Sequence, residues 1–99
     1  MNIIKLYTLA SRHEEVTQIH MPRNSWIIDA CVDNHDGDVT LIVCIDRSEL
    51  IMENRTFITL RDGQEIHTDL DHLVYIGNVR IQHDFCQPLL VVFEVDKRE

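Results

Sequence analysis

The sequence predicts an all-β fold, either an antiparallel sandwich or a small open barrel of about seven strands. Two observations lead to this prediction. Apolar residues alternate with a period of two rather than 3.6, and turn-forming residues separate the alternating runs at regular spacing. With 99 residues, 44% of them apolar, the chain is expected to form a single β-rich domain over 1–99.

Seven runs have the composition of strands: 3–9, 16–21, 26–33, 39–46, 55–61, 73–81 and 89–95. The fourth, sixth and seventh runs are apolar on both faces, which indicates strands that are central or covered on both sides. The first two runs carry Lys5 and the pair Glu14-Glu15, so we expect them at sheet edges. The connections 47–54 and 66–72 are each long enough for one helical turn.

The dipeptide Asp36-Gly37 is a strong signal for a two-residue hairpin loop, because a type I′ turn needs positive φ at both central residues. Asp62-Gly63 marks a second turn. The first loop predicts the register of strands 3 and 4: Val32 opposite Leu41, Ala30 opposite Val43 and Ile28 opposite Ile45. Trp26, Ile28, Ala30 and Val32 are then expected to share one face of strand 3.

The charge balance is acidic, with 9 basic and 17 acidic residues and a net charge of −8. This argues against a surface for nucleic acid or anionic membranes, since phosphate binding requires clustered Lys and Arg. It is compatible with a basic partner or with mimicry of nucleic acid. The alternative interpretation is that the charge only aids solubility.

The compartment expected from the sequence is the cytoplasm. The first ten residues hold a short apolar run interrupted by Lys5 and Tyr7, unlike a secretory leader. No apolar stretch approaches the ~18 residues that a membrane span needs. Three scattered cysteines do not form a disulfide framework.

The segment 67–86 is rich in side chains that bind metals, namely His67, Asp69, Asp71, His72, His83, Asp84 and Cys86. Strand 6 separates its two halves by about 30 Å, and the pairwise spacings match no zinc motif. The favoured interpretation is that Thr68, Asp69 and Asp71 cap a turn. We therefore predict neither a metal nor another cofactor. The alternative is a weak metal site formed by His67, Asp69 and His72.

Motifs of catalysis or calcium binding are not found. The segment 33–38 could belong to a twelve-residue calcium loop with Gly37 at its sixth position. Val32 and Val43 would then occupy the first and twelfth positions, which require acids. No nucleophile elbow, phosphate loop, zinc-protease or dinucleotide motif occurs. His83 and Cys86 are three residues apart in a predicted loop, a spacing that does not define a Cys-His nucleophile pair. The sequence thus predicts a protein that is not an enzyme.

An ordered series of short motifs resembles a family of small uncharacterised β-rich proteins of bacteria and bacteriophages. The series runs over nearly the whole chain: Lys5-x-Tyr7, Ile19-x-Met21-Pro22, Leu41-x-x-x-Ile45-Asp46, Arg55-Thr56-Phe57, Tyr75-Ile76-Gly77 and Val92-Phe93-Glu94. The resemblance implies one small β-rich domain and a phage or prophage context. It implies no activity and no catalytic residues.

This chain departs from the family pattern at several positions. The family often carries Trp where this chain has Ile42 and Leu90. It often carries Gly-His-Pro-Ile where this chain reads Gly-Gln-Glu-Ile over 63–66. If those residues form a binding surface in the family, this protein has replaced it.

The leading hypothesis is a non-enzymatic, stoichiometric binding protein of phage type. It would inhibit a host defence component, in the manner of an anti-CRISPR or anti-restriction protein, by presenting an acidic surface to a basic patch on a nucleic-acid-binding host complex. It would bind neither nucleic acid nor membrane directly. The residues expected to contact the partner are the acids that flank turns: Asp29, Asp33, Asp36 and Asp38.

The alternative hypothesis is a module that binds or sequesters a small nucleotide signal. Arg55, Arg61 and Arg80 would contact the anion, because a guanidinium matches a phosphate in a bidentate manner. These arginines are also explained by pairing with surface acids. A metal-dependent enzyme that uses the cluster at 67–86 is the least favoured hypothesis.

Apolar residues on both faces of strands 4 and 7 also predict a possible homodimer. Ile42, Cys44, Leu90 and Val92 are expected either to be buried by curling of the sheet or to form an exposed patch. Such a patch, or an edge strand, would join two copies symmetrically.

Overall fold

A computed structural model describes residues 1–9, 16–32, 38–80 and 89–96. These residues form seven strands: β1 (Asn2–Leu9), β2 (Val16–Pro22), β3 (Trp26–Val32), β4 (Val39–Asp46), β5 (Met52–Arg61), β6 (Leu73–Arg80) and β7 (Leu89–Val95). A 3₁₀ turn over Leu70–His72 precedes β6. The predicted all-β class is confirmed, as is a helical turn in the connection 66–72.

The described strands form two open antiparallel sheets, one in the order β1-β4-β3 and the other in the order β2-β5-β7-β6. β1 and β2 are edge strands, and β4 and β7 are central, as the composition predicts. β6 was expected to be central or covered, and it lies at the edge of its sheet. β3 packs beside it from the other sheet, and Val79 is buried, whereas Val74 and Tyr75 are exposed.

The predicted register of the β3–β4 hairpin is wrong by two residues. Val32 pairs with Val39 and Ala30 pairs with Leu41, so the six residues 33–38 separate the last paired residues. Asp36 and Gly37 lie outside the described residues. Because side chains alternate with a period of two, a shift of two leaves Ala30 and Val32 on their predicted face. Register therefore follows the packing of the apolar rows rather than the strongest local turn signal.

A β-bulge between Ile27 and Asp29 reverses the faces of β3. On its far side Ala30 is buried, whereas before it Ile27 packs on the core and Trp26 points outward, 71% exposed. Ile28, the extra residue of the bulge, is 43% exposed. The prediction that Trp26 and Ile28 share a face with Ala30 is wrong for this reason.

The core lies between the inner faces of the two sheets, and the inner row of β4 is its centre. Twelve buried residues form one cluster: Leu9, Ile19, Met21, Ala30, Val39, Leu41, Val43, Ile45, Phe57, Val79, Leu90 and Val92. Leu90 and Val92 were candidates for an exposed patch, and they are buried in this cluster. The outer row of β7 is instead Leu89, Val91 and Phe93, each partly buried.

The two sheets meet where β3 lies beside β6, and each of these strands carries a bulge there. The bulge of β6 falls between Tyr75 and Gly77. A Cβ atom on Gly77 would lie 2.6 Å from Oδ1 of Asp29 and 3.6 Å from the amide nitrogen of Ala30. The same Oδ1 accepts a hydrogen bond of 2.8 Å from the Ala30 amide. The absence of a side chain at position 77 thus permits this close contact of the two strands.

Substituting Gly77→Ala is expected to destabilise the protein by about 1 kcal/mol, because the added methyl displaces the Asp29 carboxylate from the Ala30 amide. In an Asp29→Ala background the same change should be neutral or slightly stabilising, since alanine restricts the unfolded chain. A double-mutant cycle measured by urea unfolding tests this coupling. An equal cost in both backgrounds would contradict the contact.

Candidate functional site

The outer face of the three-stranded sheet is apolar and exposed. The ladders place Ile4, Cys44 and Trp26 in one row across the sheet. The next row contains Leu6, Ile42 and Asp29. We call the five apolar residues of these rows, Ile4, Leu6, Trp26, Ile42 and Cys44, the outer apolar face.

The exposure of these side chains distinguishes this face from the rest of the sheet. Ile4 is 56% exposed, Leu6 60% and Trp26 71%, whereas Ile42 and Cys44 are partly buried beneath them. No described element packs over the three exposed side chains. A contiguous apolar patch on a small protein usually marks an interaction surface, and tryptophan is the residue most enriched at the energetic centre of interfaces.

Two carboxylates border the outer apolar face. Asp29 is exposed and pairs with Ile42 on the same side of the sheet. Asp46 pairs with Asn2, one row beyond Ile4 and Cys44. The exposed patch is therefore apolar at its centre and has a carboxylate at each of two margins, and the Asp46 carboxylate is paired with the amino group of Met1.

Of the two described acids that were predicted to contact a partner, Asp29 lies beside the outer apolar face. Asp38 precedes β4 at the far end of the ladder from Trp26, and it is partly buried. Asp33 and Asp36 lie outside the described residues. The prediction of an exposed patch included Ile42 and Cys44, but it missed Ile4, Leu6 and Trp26. Apolar residues occur on both faces of β1, and this pattern was the sequence signal for the exposure of Ile4 and Leu6.

The three arginines of the anion-binding hypothesis fall into two places. Arg61 and Arg80 line the same cavity, of about 760 Å³, on the four-stranded sheet. Arg55 lines a different cavity, of about 580 Å³, together with Glu53, Glu94 and Asp96. The cavity beside Arg55 does not suit an anion, because among the described residues its three carboxylates outnumber its one guanidinium.

Arg55 is engaged by its own chain. Its Nε and Nη2 atoms each donate a hydrogen bond of 2.6 Å to the two carboxylate oxygens of Glu94, and both side chains are 18% exposed. Its Nη1 atom donates to the carbonyl of Ser25. The hydrogen bond with Glu94 raises the pKa of Arg55 despite its partial burial. Arg55 of β5 thus joins Glu94 of β7 to the Ser25 carbonyl of the β2–β3 turn, so it has a structural role.

The described part of the segment 67–86 does not form a metal centre. Among the described residues, no group of three or more His, Cys, Asp or Glu side chains is placed to hold a metal ion. Asp69 caps the 3₁₀ turn by accepting a hydrogen bond from the Asp71 amide, as the capping interpretation predicts. The Nδ1 atom of His72 lies 2.8 Å from the Asp96 carbonyl oxygen. His83, Asp84 and Cys86 lie outside the described residues.

Helices contribute little to the described part of the chain, and none there is long and apolar enough to cross a membrane. Comparison with models of protein families, with curated proteins and with solved structures gave no match. The resemblance to small bacterial and phage proteins therefore stays a prediction.

Replacing Arg55 by methionine is expected to destabilise the fold by about 1.5–3 kcal/mol, because it leaves the Glu94 carboxylate and the Ser25 carbonyl without their donor in a partly buried position. Urea unfolding measures the effect. Arg47→Met, at an exposed turn residue, is the matched control and should change stability by less than about 0.5 kcal/mol. Equal effects of the two substitutions would show that the bidentate pair contributes nothing.

Asp46 gives the stability a dependence on acid pH. Hydrogen bonds from the Ser48 hydroxyl and amide, together with the amino group of Met1, lower its pKa from 3.8 to about 2. A carboxylate whose pKa is depressed by folding stabilises the folded state above about pH 4, and this contribution disappears as the pH falls through about 2. Asp46→Asn should thus lower stability at neutral pH, with the difference from the unmodified protein shrinking between pH 4 and 2.

Urea midpoints measured across that pH range check this expectation. Ser48→Ala should reproduce part of the effect in the same pH window, because it removes the hydroxyl donor and leaves the amide donor. A stability difference between Asp46→Asn and the unmodified protein that is constant from pH 6 to pH 2 would contradict the assignment.

Proposed function

We propose that this protein is a non-enzymatic binding protein that docks a basic protein partner on its outer apolar face. The observation that carries the proposal is the exposure of Ile4, Leu6 and Trp26 on one sheet face beside the Asp29 carboxylate. An apolar centre with charged margins is the usual anatomy of a protein–protein interface.

The partner's chemistry follows from the charge. A net charge of −8 accelerates encounter with a positively charged protein and repels a negatively charged one. Burial of Trp26 in a pocket of the partner would supply affinity, while Asp29 and Asp46 would orient the complex. A basic surface of this kind is typical of proteins that bind nucleic acids.

The phage context implied by the resemblance specifies the proposal further. A small acidic protein that occupies the nucleic-acid-binding surface of a host defence complex would inhibit that complex stoichiometrically. Such inhibition needs neither a cofactor nor catalysis by this protein. It would take place in the host cytoplasm, where such complexes meet phage nucleic acid.

A symmetric homodimer through the same face or through the β1 edge is the competing use of this surface. Two copies would bring two chains of net charge −8 together, which opposes association at low salt. Light scattering at micromolar concentration distinguishes the two arrangements. A monomer mass leaves the outer apolar face available for a different protein, and a dimer abolished by Leu6→Ser would show that a second copy occupies it.

Binding to purified host nucleic-acid-guided nucleases and restriction complexes tests the proposal directly. We expect salt-sensitive binding that Trp26→Ala weakens by about 30-fold, the loss expected for an interface hot spot. Tyr75→Ala is the matched control, because Tyr75 is a 57% exposed aromatic residue on the other sheet. Asp29→Asn should slow association and reduce its salt dependence.

Two results would contradict the proposal. One is the absence of salt-sensitive binding to any of these complexes. The other is binding that Trp26→Ala and Tyr75→Ala weaken equally, since the outer apolar face would then have no special part in it.

A further inference from the structure

A second surface of different chemistry lies on the four-stranded sheet. The cavity of about 760 Å³ that contains Arg61 and Arg80 is lined by Leu60, Ile66, Leu89, Val91 and Phe93 as its apolar part. Its size falls within the range of small-molecule sites in proteins. It lies on a different sheet from the outer apolar face, so it is not part of the proposed protein interface.

The apolar floor of this cavity follows from strand alternation. Leu60 pairs with Val91 across the β5–β7 ladder, and Ile58 pairs with Phe93, so these side chains share one face of the sheet. Leu60 and Ile58 are buried, at 6% and 4% exposed, although they are not part of the central core cluster. Their burial is thus due to neighbours on the outer face of this sheet.

The polar wall of this cavity is formed by the turn that follows β5, over 61–64, and by Arg80 at the end of β6. The Arg61 amide donates to Oε1 of Gln64 at 3.0 Å, and the Gln64 amide donates to the Arg61 carbonyl at 3.1 Å. Gly63 has a φ of 83°, which glycine adopts without strain, so the turn holds a defined conformation. Arg80 pairs with Leu89 on the cavity side of the sheet. Among the described residues, two arginines and Asp62 are the charged side chains that line the cavity.

We propose that this cavity binds a small amphipathic anion, an aliphatic or aromatic body that ends in one carboxylate or phosphate. The body would lie on Leu60, Val91 and Phe93, and the anionic group would meet the guanidinium of Arg80 and the wall that contains Arg61. This site is independent of the proposed protein-binding function. Charge complementarity within an otherwise apolar site is what selects the ligand.

A nucleotide fits the cavity less well than a simple amphipathic anion. The sugar hydroxyls and base edges of a nucleotide need hydrogen-bond partners when they are buried. Among the described lining residues, the side chains other than the two arginines, Asp62 and Gln64 are apolar. The sequence-based hypothesis of a nucleotide ligand held by three arginines is thereby changed to a less polar anion beside Arg61 and Arg80.

Decanoate is the probe for this proposal, used below the concentration at which it aggregates. Calorimetry should show saturable binding to the unmodified protein, and amide NMR shifts should centre on Val91, Phe93 and Leu89. The double variant Arg61→Gln/Arg80→Gln should weaken binding by at least about tenfold. Arg47→Gln, an exposed arginine outside the cavity, is the matched control and should leave binding unchanged.

Decyltrimethylammonium, with the same chain and the opposite charge, should bind at least about tenfold more weakly than decanoate. Equal binding of the two amphiphiles would overturn the proposal, as would decanoate shifts centred on Ile4 and Leu6. Tighter binding of adenosine monophosphate than of decanoate would also overturn it, in favour of a nucleotide. The shift mapping uses the unmodified chain, so it remains decisive if the double variant fails to fold.

Discussion

The constraint on which the rest of this structure depends is the apolar character of both faces of β4. Its inner row, from Val39 to Ile45, is at most 7% exposed and forms the centre of the core. Two-sheet packing buries one face of each sheet and leaves the other without a partner layer. In the described part of the chain, the outer-row residues Ile42 and Cys44 are therefore covered by the side chains of β1 and β3. The outer apolar face is a direct consequence of this arrangement.

The two sheets are joined at their margins by side chains and bulges rather than by a continuous ladder. Bulges in β3 and β6 bring Asp29 and Gly77 together, and both strands are edges of their own sheets. Edge strands that twist at bulges and pack against one another are protected from pairing with other chains. Elsewhere Arg55 of β5 donates hydrogen bonds both to Glu94 of β7 and to the Ser25 carbonyl, and so links the β2–β3 turn to β7. The described strands thus form two open sheets rather than a closed barrel.

The surfaces that remain exposed divide the chemistry of the molecule between the two sheets. Carboxylates border the outer apolar face of the three-stranded sheet, whereas arginines line the cavity on the four-stranded sheet. A basic macromolecule and a small anion would therefore approach different sheets and would not compete. The net charge does not reveal this division, because it averages over a face bordered by carboxylates and a cavity that contains two arginines.

Alternation of apolar residues by itself determined the class of the fold and the position of each described strand to within a few residues. The largest difference is at β5, which begins at Met52 rather than at the predicted Arg55. It also determined the buried row of β4, because a period of two follows from backbone geometry that is local to each strand. Only the tertiary structure decided the register of β3, the outward turn of Trp26 and the burial of Leu90 and Val92. These depend on which face meets the other sheet and on a bulge that the local residue pattern does not mark. For the same reason the sequence grouped Arg55 with Arg61 and Arg80, whereas pairing with Glu94 across the β5–β7 ladder places it in a separate, structural role.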